Sequence, residues 1–360
     1  MKKSYLFAAA LAAGMSFASC SNDEVVENVA TQSTLGVEKV GLQGLNSRAG
    51  ITETSFTNGE SLSLFIYQGN KAAGFNTAYN DGGNTSDQNV EYALGAEGWA
   101  PKTLPIVLSS KIGTVYAAYT GAWSDTNVDP SAIAITVAAD QESGQSDGSK
   151  DANGQVDYMW ADPVENVSNA SKVVASAEKS GSKVDLKMNH ALAMVTFKFK
   201  NSEQNSSKYP GVGNVTSIKL YNSSTSTKNP IRSGAATMNI ATGAINGAQP
   251  AAAGIAIAPT VQPLMDEAAP EKLARMLIYP SENFTGGEAK MEFEVDDVKY
   301  TLDVPALADA TDATKGYVAG NNYIYTLTMK GTALEISSVS IKEWKDVPAG
   351  EGDIENPDAQ

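Results

Sequence analysis

The chain holds one cysteine, Cys20, and one histidine, His190, among 360 residues. No internal disulfide can form, and no zinc site of Cys and His ligands can be assembled. Any Ser–His or Cys–His catalytic pair would have to run through His190, while hydrolysis by carboxylates alone stays open. Basic residues are scarce too: 26 Lys and Arg stand against 41 Asp and Glu, a net charge of −15. That deficit argues against nucleic acid, whose phosphates need cationic partners, and against an electrostatic hold on anionic lipid. Its simplest consequence is solubility. Arginine occurs only as Arg48, Arg232 and Arg275. No phosphate-cradling glycine motif or nucleophile elbow is present, and nothing in the composition asks for a cofactor.

What is there begins at the front. Lys2 and Lys3 precede YLFAAALAAGMSFA, an apolar run ending at Ser19-Cys20. A basic start, a short apolar core and small residues before a cut are the layout of an export signal, here residues 1–20. The run falls short of the ~20 apolar residues that a bilayer span needs. Phe17-Ala18-Ser19-Cys20 resembles a bacterial lipobox, in which the cysteine is acylated and becomes the new N-terminus. Outer-membrane lipid would then be a partner through Cys20. The acidic Asp23-Glu24 just behind it resembles the signal that sends such lipoproteins to the cell surface.

Residues 21–34 are polar and read as a flexible tether. In TLGVEKVGLQGLNSR, Leu35, Val37, Val40, Leu42 and Leu45 recur two or three apart, interleaved with Gly36, Gly41 and Gly44. The glycines disfavour a helix, and the uneven spacing implies a strand with a bulge. Arg48 follows, between polar Asn46-Ser47 and small Ala49-Gly50, an exposed setting of the kind proteases favour. A solvated loop arginine would look the same.

From Ile51 on, strand patterns alternate with turn signals. SLSLFIY, NVEYAL, LPIVL, TVYAAYT, AIAITVA, VDYMWA, SKVVASA and SKVDLKMNH fill the first half; Gln68 to Gln88 and Asp140 to Gln155 read as loops. ALAMVTFKFK opens the second half, apolar on both faces. VTSIKLY, AATMNI and GIAIA follow, with a short helix expected within Pro263 to Met276. KMEFEVDDVKYTLDV predicts a β-hairpin turning at Asp296-Asp297, with Val298, Tyr300, Leu302 and Val304 as the returning apolar face. YIYTLTM and ALEISSVSIKEW close the chain, ahead of a polar tail. So many short strands with little helical periodicity imply an all-β protein. At ~100 residues per sandwich, two tandem β-sandwich domains fit, over residues 49–184 and 185–347 with a tail at 348–360. The join would lie near Gly181 to Asp185.

Other candidates have plainer readings. His190, at the start of a strand and without an evident acidic pair, reads as a structural histidine. SKDANG, within Asp140 to Asp157, lacks calcium ligands at both ends of the expected loop, Ser149 and Trp160. Trp99, Trp123, Trp160 and Trp344 could stack on sugars, which would make the chain a surface glycan-binding lipoprotein. Each borders a strand, where tryptophan usually packs.

The lipobox, SLSLFIY, NHALAMVTFKF and the closing YIYTLTM and VSIKEW resemble the Mfa-like fimbrillin family of Bacteroidetes, over nearly the whole chain. The resemblance implies two transthyretin-like β-sandwich domains and a structural rather than enzymatic role. It implies a fimbrial subunit exported as an outer-membrane lipoprotein, with other fimbrillin subunits and an arginine-specific surface protease as partners. Cleavage between Arg48 and Ala49 would remove the N-terminal strand carrying Leu35, Val37, Val40, Leu42 and Leu45. A strand from the next subunit would fill the vacated groove. Leu334, Ile336, Ser338, Val339 and Ile341 are the candidate donor, with Leu334, Ile336 and Ser338 expected on one face.

Overall fold

Backbone pairing and alternating burial organise nearly every stretch of the computed structural model that can be described: residues 33–42, 52–53, 56–79, 88–142, 155–168, 183–202, 204–258, 273–307 and 316–343. Cys20, Leu45, Arg48, Ala49, SKVVASA, SKDANG, Trp344 and the tail lie outside these residues.

In chain order the strands begin with β1 (Ser33–Thr34), β2 (Gly36–Leu42), β3 (Thr52–Glu53), β4 (Ser61–Gln68), β5 (Val90–Gly95) and β6 (Gly98–Pro101). Next come β7 (Val107–Leu108), β8 (Gly113–Tyr119), β9 (Ile133–Val137), β10 (Asp140–Glu142), β11 (Met159–Ala161) and β12 (Val164–Val167). β13 (Lys183–His190), β14 (Ala193–Asn201), β15 (Val215–Asn222), β16 (Arg232–Met238), β17 (Ile245–Asn246) and β18 (Gln249–Pro250) follow. The last are β19 (Ile255–Ala258), β20 (Leu273–Ile278), β21 (Ala289–Val295), β22 (Val298–Asp303), β23 (Asn321–Lys330) and β24 (Ala333–Glu343). Helix among the described residues is limited to short 3-10 turns at Lys71–Ala73 and Asn205–Ser207. The protein is all-β, as its alternation implies.

The largest sheet runs β3-β2-β13-β11-β8-β4-β5-β6, with β12 also on β8. A five-stranded sheet runs β10-β19-β15-β21-β22 and a four-stranded one β20-β14-β23-β24. β9 and β16 to β18 make a small sheet, and β1 pairs with β7.

β4 and β8 explain why SLSLFIY and TVYAAYT are apolar throughout. Leu62, Leu64 and Ile66 point into one hydrophobic cluster, together with Val115 and Ala117. Phe65 and Tyr67 point into a second, larger cluster, with Tyr116 and Ala118. A strand covered on both faces loses polar alternation.

The pairing corrects three expectations. The boundary expected between residues 184 and 185 falls inside β13, whose Val184, Leu186 and Met188 are buried in the first cluster. The chain changes sheet later, between β13 and β14. Hydrogen bonding crosses the expected join as well, since β9 pairs with β16 and β10 with β19. Of Pro263 to Met276, where a short helix is expected, residues 263–272 lie outside the described residues and the end belongs to β20, which pairs with β14 from Leu273 to Ile278. Its Leu, Ala, Arg and Met favour a helix in isolation, and tertiary pairing overrides that preference. The hairpin forms as expected: Asp296 and Asp297 both take positive φ, 46° and 64°, between paired Val295 and Val298. Its returning face is less buried than its pattern suggests, because β22 is an edge strand. Val298 is 49% exposed, and Tyr300 and Leu302 are half-buried.

Candidate functional site

The front of the described chain lies in a bed made from several distant segments. β1 pairs antiparallel with β7, joining Ser33 to Leu108 and Thr34 to Val107. Leu35 continues that contact, its N–H donating to the Ile106 carbonyl at 2.8 Å. The chain then crosses to β13 and pairs with it in parallel, from Gly36 opposite Lys183 to Leu42 opposite Met188. Between Val37, opposite Val184, and Lys39, opposite Asp185, the ladder skips Glu38. This is a bulge, as the uneven apolar spacing implies. The extra residue lets Val37 and Val40, three apart, share the inward face.

Leu35, Val37 and Val40 are 2%, 8% and 4% exposed, and Leu42 packs at the cluster's margin. Around them lie Leu62, Tyr92, Ile106 and Leu186. The Tyr92 hydroxyl donates to the Leu35 carbonyl at 2.7 Å in this buried setting. Burial pushes the Tyr92 phenol up to about 12, partly offset by a backbone hydrogen bond from Ile106.

On its outer side the end of β2 meets β3, with Gly41 opposite Glu53 and Leu42 opposite Thr52. Residues 43–51, which include Arg48 and Ala49, connect these two paired ends. In the sequence, β1 and β2 precede that connection and every other described strand follows it. One peptide bond there is therefore the covalent link between β2 and its bed.

The candidate donor forms β24, an edge strand paired antiparallel with β23 over its whole length. The ladder skips Ser337, since Ile336 lies opposite Leu327 and Ser338 opposite Thr326. Thr328 Oγ1 donates to Ser337 Oγ at 2.8 Å, and Ser337 Oγ donates to the Thr326 carbonyl at 3.1 Å. This bulge corrects the expected face. Ser338 is exposed, whereas Leu334 is buried and Ile336, Val339 and Ile341 pack half-buried on the larger cluster.

His190 has an acidic partner that its neighbourhood in the sequence does not reveal. Its Nδ1 lies 2.8 Å from Asp157 Oδ2, with both side chains under a tenth exposed. Pairing of Met159 with His190 brings the two segments together. The described tryptophans each have partners of their own. Trp99 meets Phe56 edge-on at 5.4 Å, Trp123 Nε1 donates to the Asn89 carbonyl, and Trp160 covers Gly243.

Among solved structures, a protein of Bacteroides ovatus ATCC 8483, assigned provisionally to cell adhesion, is similar at a TM-score of 0.57 and 16% identity. The similarity covers 87% of this chain and 98% of that one. A counterpart from Bacteroides uniformis ATCC 8492 gives 0.55 and 17%, over 87% and 99%. The tip fimbrial protein Mfa3 of Porphyromonas gingivalis gives 0.43 and 12%, over 80% and 95%. No curated protein matches the sequence. Residues 47–344 match the family described as fimbrillin-like, and on that match the chain belongs to the fimbrillin-like family.

Proposed function

We propose that this chain is a structural subunit of a surface fimbria whose N-terminal strand is a removable plug. Membership of the family supports a fimbrial or adhesive role at the cell surface. The rest is an inference from the seat of β2. On this reading the precursor is tethered to the outer membrane through acylated Cys20, and an arginine-specific surface protease cuts between Arg48 and Ala49. The segment carrying Leu35, Val37, Val40, Leu42 and Leu45 then departs, and a neighbour's strand takes its place.

The carrying observation is that β2 is sandwiched into a core yet joined to that core through residues 43–51 alone. Burying three aliphatic side chains is worth ~1.5–3 kcal/mol each, so about 5–9 kcal/mol in all. Ordering seven residues costs ~1–2 kcal/mol apiece, a total of similar size. While tethered, the strand rebinds at high effective concentration and outcompetes any other strand. Once cut, it has no such advantage. Its loss would expose apolar side chains between unpaired backbone groups of β13 and β7, a template for strand addition. Such a contact is head-to-tail, so it propagates as a filament. Residues 1–48 carry four basic and four acidic groups, so the cut subunit keeps its charge of −15.

Incubating the purified precursor with an arginine-specific protease tests the proposal. Ladders resistant to detergent are the expected result, and Arg48→Ala should abolish them. Cut protein that stays monomeric with the segment before Ala49 still bound would sink it.

A further inference from the structure

β22 offers an open edge whose charges complement themselves. Among the described residues only β21 pairs with it. Val295 and Val298 flank the two-residue turn, and the flanking pair of such a hairpin is a hydrogen-bonded one. Further along, the Val304 N–H donates to the Ala289 carbonyl at 2.9 Å, in phase with that pair. The backbone groups of Val298, Tyr300 and Leu302 therefore turn toward β21, and those of Lys299, Thr301 and Asp303 turn toward the open edge. The side chains of Lys299, Thr301 and Asp303 are all exposed. Lysine and aspartate stand equally far to either side of Thr301.

We propose that β22 pairs antiparallel with β22 of a second copy of this chain, about a two-fold axis at Thr301. Thr301 then lies opposite Thr301, and Lys299 opposite Asp303 of the second copy, on both sides of the axis. Each of these pairs exchanges backbone hydrogen bonds, joining two five-stranded sheets into one. The contact does not involve the N-terminal segment and is independent of strand exchange. Being isologous, it closes on two copies, so between filaments it is a side-by-side link.

Charge selects the partner. Within the chain, Lys290 lies opposite Asp303 and Glu294 opposite Lys299. Lys290 forms an ion pair with Asp303, and Lys299 Nζ lies 3.4 Å from Glu292 Oε1. Across the axis the outer row runs Lys290, Asp303, then Lys299 and Glu294 of the second copy. Its signs alternate throughout, and opposite charges facing each other stabilise a sheet. A net charge of −15 opposes unselective association, so a strand gains most here by bringing a lysine to Asp303.

The register is set as well. A shift of two residues one way puts Asp303 against Asp297. The other way puts Lys299 against Pro305, which has no N–H. Centred on Thr301, the core side brings Val298 opposite Val304 and Tyr300 opposite Leu302. That covers Val298, 49% exposed, and the half-buried Tyr300 and Leu302.

Sedimentation velocity of the uncut precursor over a concentration series tests this apart from any strand exchange. A monomer–dimer equilibrium is expected. Lys299→Glu alone and Asp303→Lys alone should each weaken it ~10-fold, since like charges then face each other twice. Mixing the two variants should restore association, because each introduced charge meets its opposite across the axis. Thr301→Pro should abolish the dimer while leaving the fold intact, since the lost N–H points away from β21. Hydrogen exchange on the unsubstituted protein gives a second reading. The amides of Lys299, Thr301 and Asp303 should gain protection as concentration rises, and those of Tyr300 and Leu302 should not. A parent that stays monomeric up to about 1 mM would overturn the proposal. So would a dimer undiminished by Thr301→Pro, or single variants that mixing fails to rescue.

Discussion

Tyr92 and Leu35, 57 residues apart, meet through a buried hydrogen bond of 2.7 Å in which the phenol donates to the Leu35 carbonyl. The bond ties β5 to the point where the N-terminal segment crosses from β7 to β13. Tyr92→Phe keeps the ring and leaves that buried carbonyl without its donor. The expected cost is ~1–3 kcal/mol, read by urea denaturation of the precursor. After cleavage, the variant should release the segment before Ala49 faster than the parent. Unchanged stability with unchanged release would show that the bond does not hold the strand.

The same phenol gives the seat an alkaline limit. Its pKa lies at about 12 in the fold against 10 in the open chain, through burial. A raised value means that the contribution is complete below pH 10 and is lost as pH rises toward about 12. Cut precursor should therefore hold its N-terminal segment less firmly across that interval, as followed by size-exclusion chromatography. In Tyr92→Phe this dependence should flatten. Tyr67 and Tyr279, also pushed up to about 12 by burial, remain to report on the larger cluster.

The hairpin turn allows a prediction within one dipeptide. Asp296 and Asp297 both occupy the left-handed region. Asp296 also accepts the N–H groups of Gly213 and Asn214, each at 2.8 Å. Burial works to raise its pKa, but these hydrogen bonds and one from Tyr209 outweigh it and hold the carboxyl below its usual value. Asp297→Gly should be neutral or stabilising by up to ~1 kcal/mol, since glycine takes that conformation freely. Asp296→Ala should cost about 1–2 kcal/mol, through strain and lost acceptors. The asymmetry, measured by thermal melting, should fade as pH falls below the ordinary carboxylate range, where Asp296 protonates and its advantage goes.

Strand content was legible because period-two burial is local. Ile133 to Val137 alternates in sequence as it does in space, and Asp296-Asp297 announces its turn. The bulge in β2 was legible for the same reason, since an interval of three among intervals of two leaves few alternatives. Long-range partners were not. Nothing near Leu35 names Lys183 to Met188 as its parallel neighbour, and nothing near His190 names Asp157. The edge position of β22, which leaves Val298 exposed, is likewise a property of the whole sheet. β20 escaped because its residues favour a helix and its strand character comes from β14. Ser338 was misplaced although the signal was present: Ile336 to Val339 is also an interval of three.

That interval makes an unusual forecast about deletions. Losing one residue from a strand ordinarily turns every later side chain to the opposite face. At a bulge the reverse holds, because the extra residue is what departs from alternation. Without Ser337, Ile336, Ser338, Val339 and Ile341 would still point in, out, in and in, with Ser340 between the last two pointing out. Deleting Ser337 should therefore shift stability by no more than ~1 kcal/mol. Deleting Ser340 instead sends Ile341 outward and Lys342 inward, against the larger cluster, and should strip the end of β24 from β23. Hydrogen exchange at the β23 amides separates the two outcomes: protection kept in the first variant and lost from Asn321 to Tyr323, opposite the end of β24, in the second. Equal loss in both would mean that Ser337 is held for its hydrogen bonds to Thr326 and Thr328, and that its place in the spacing is incidental.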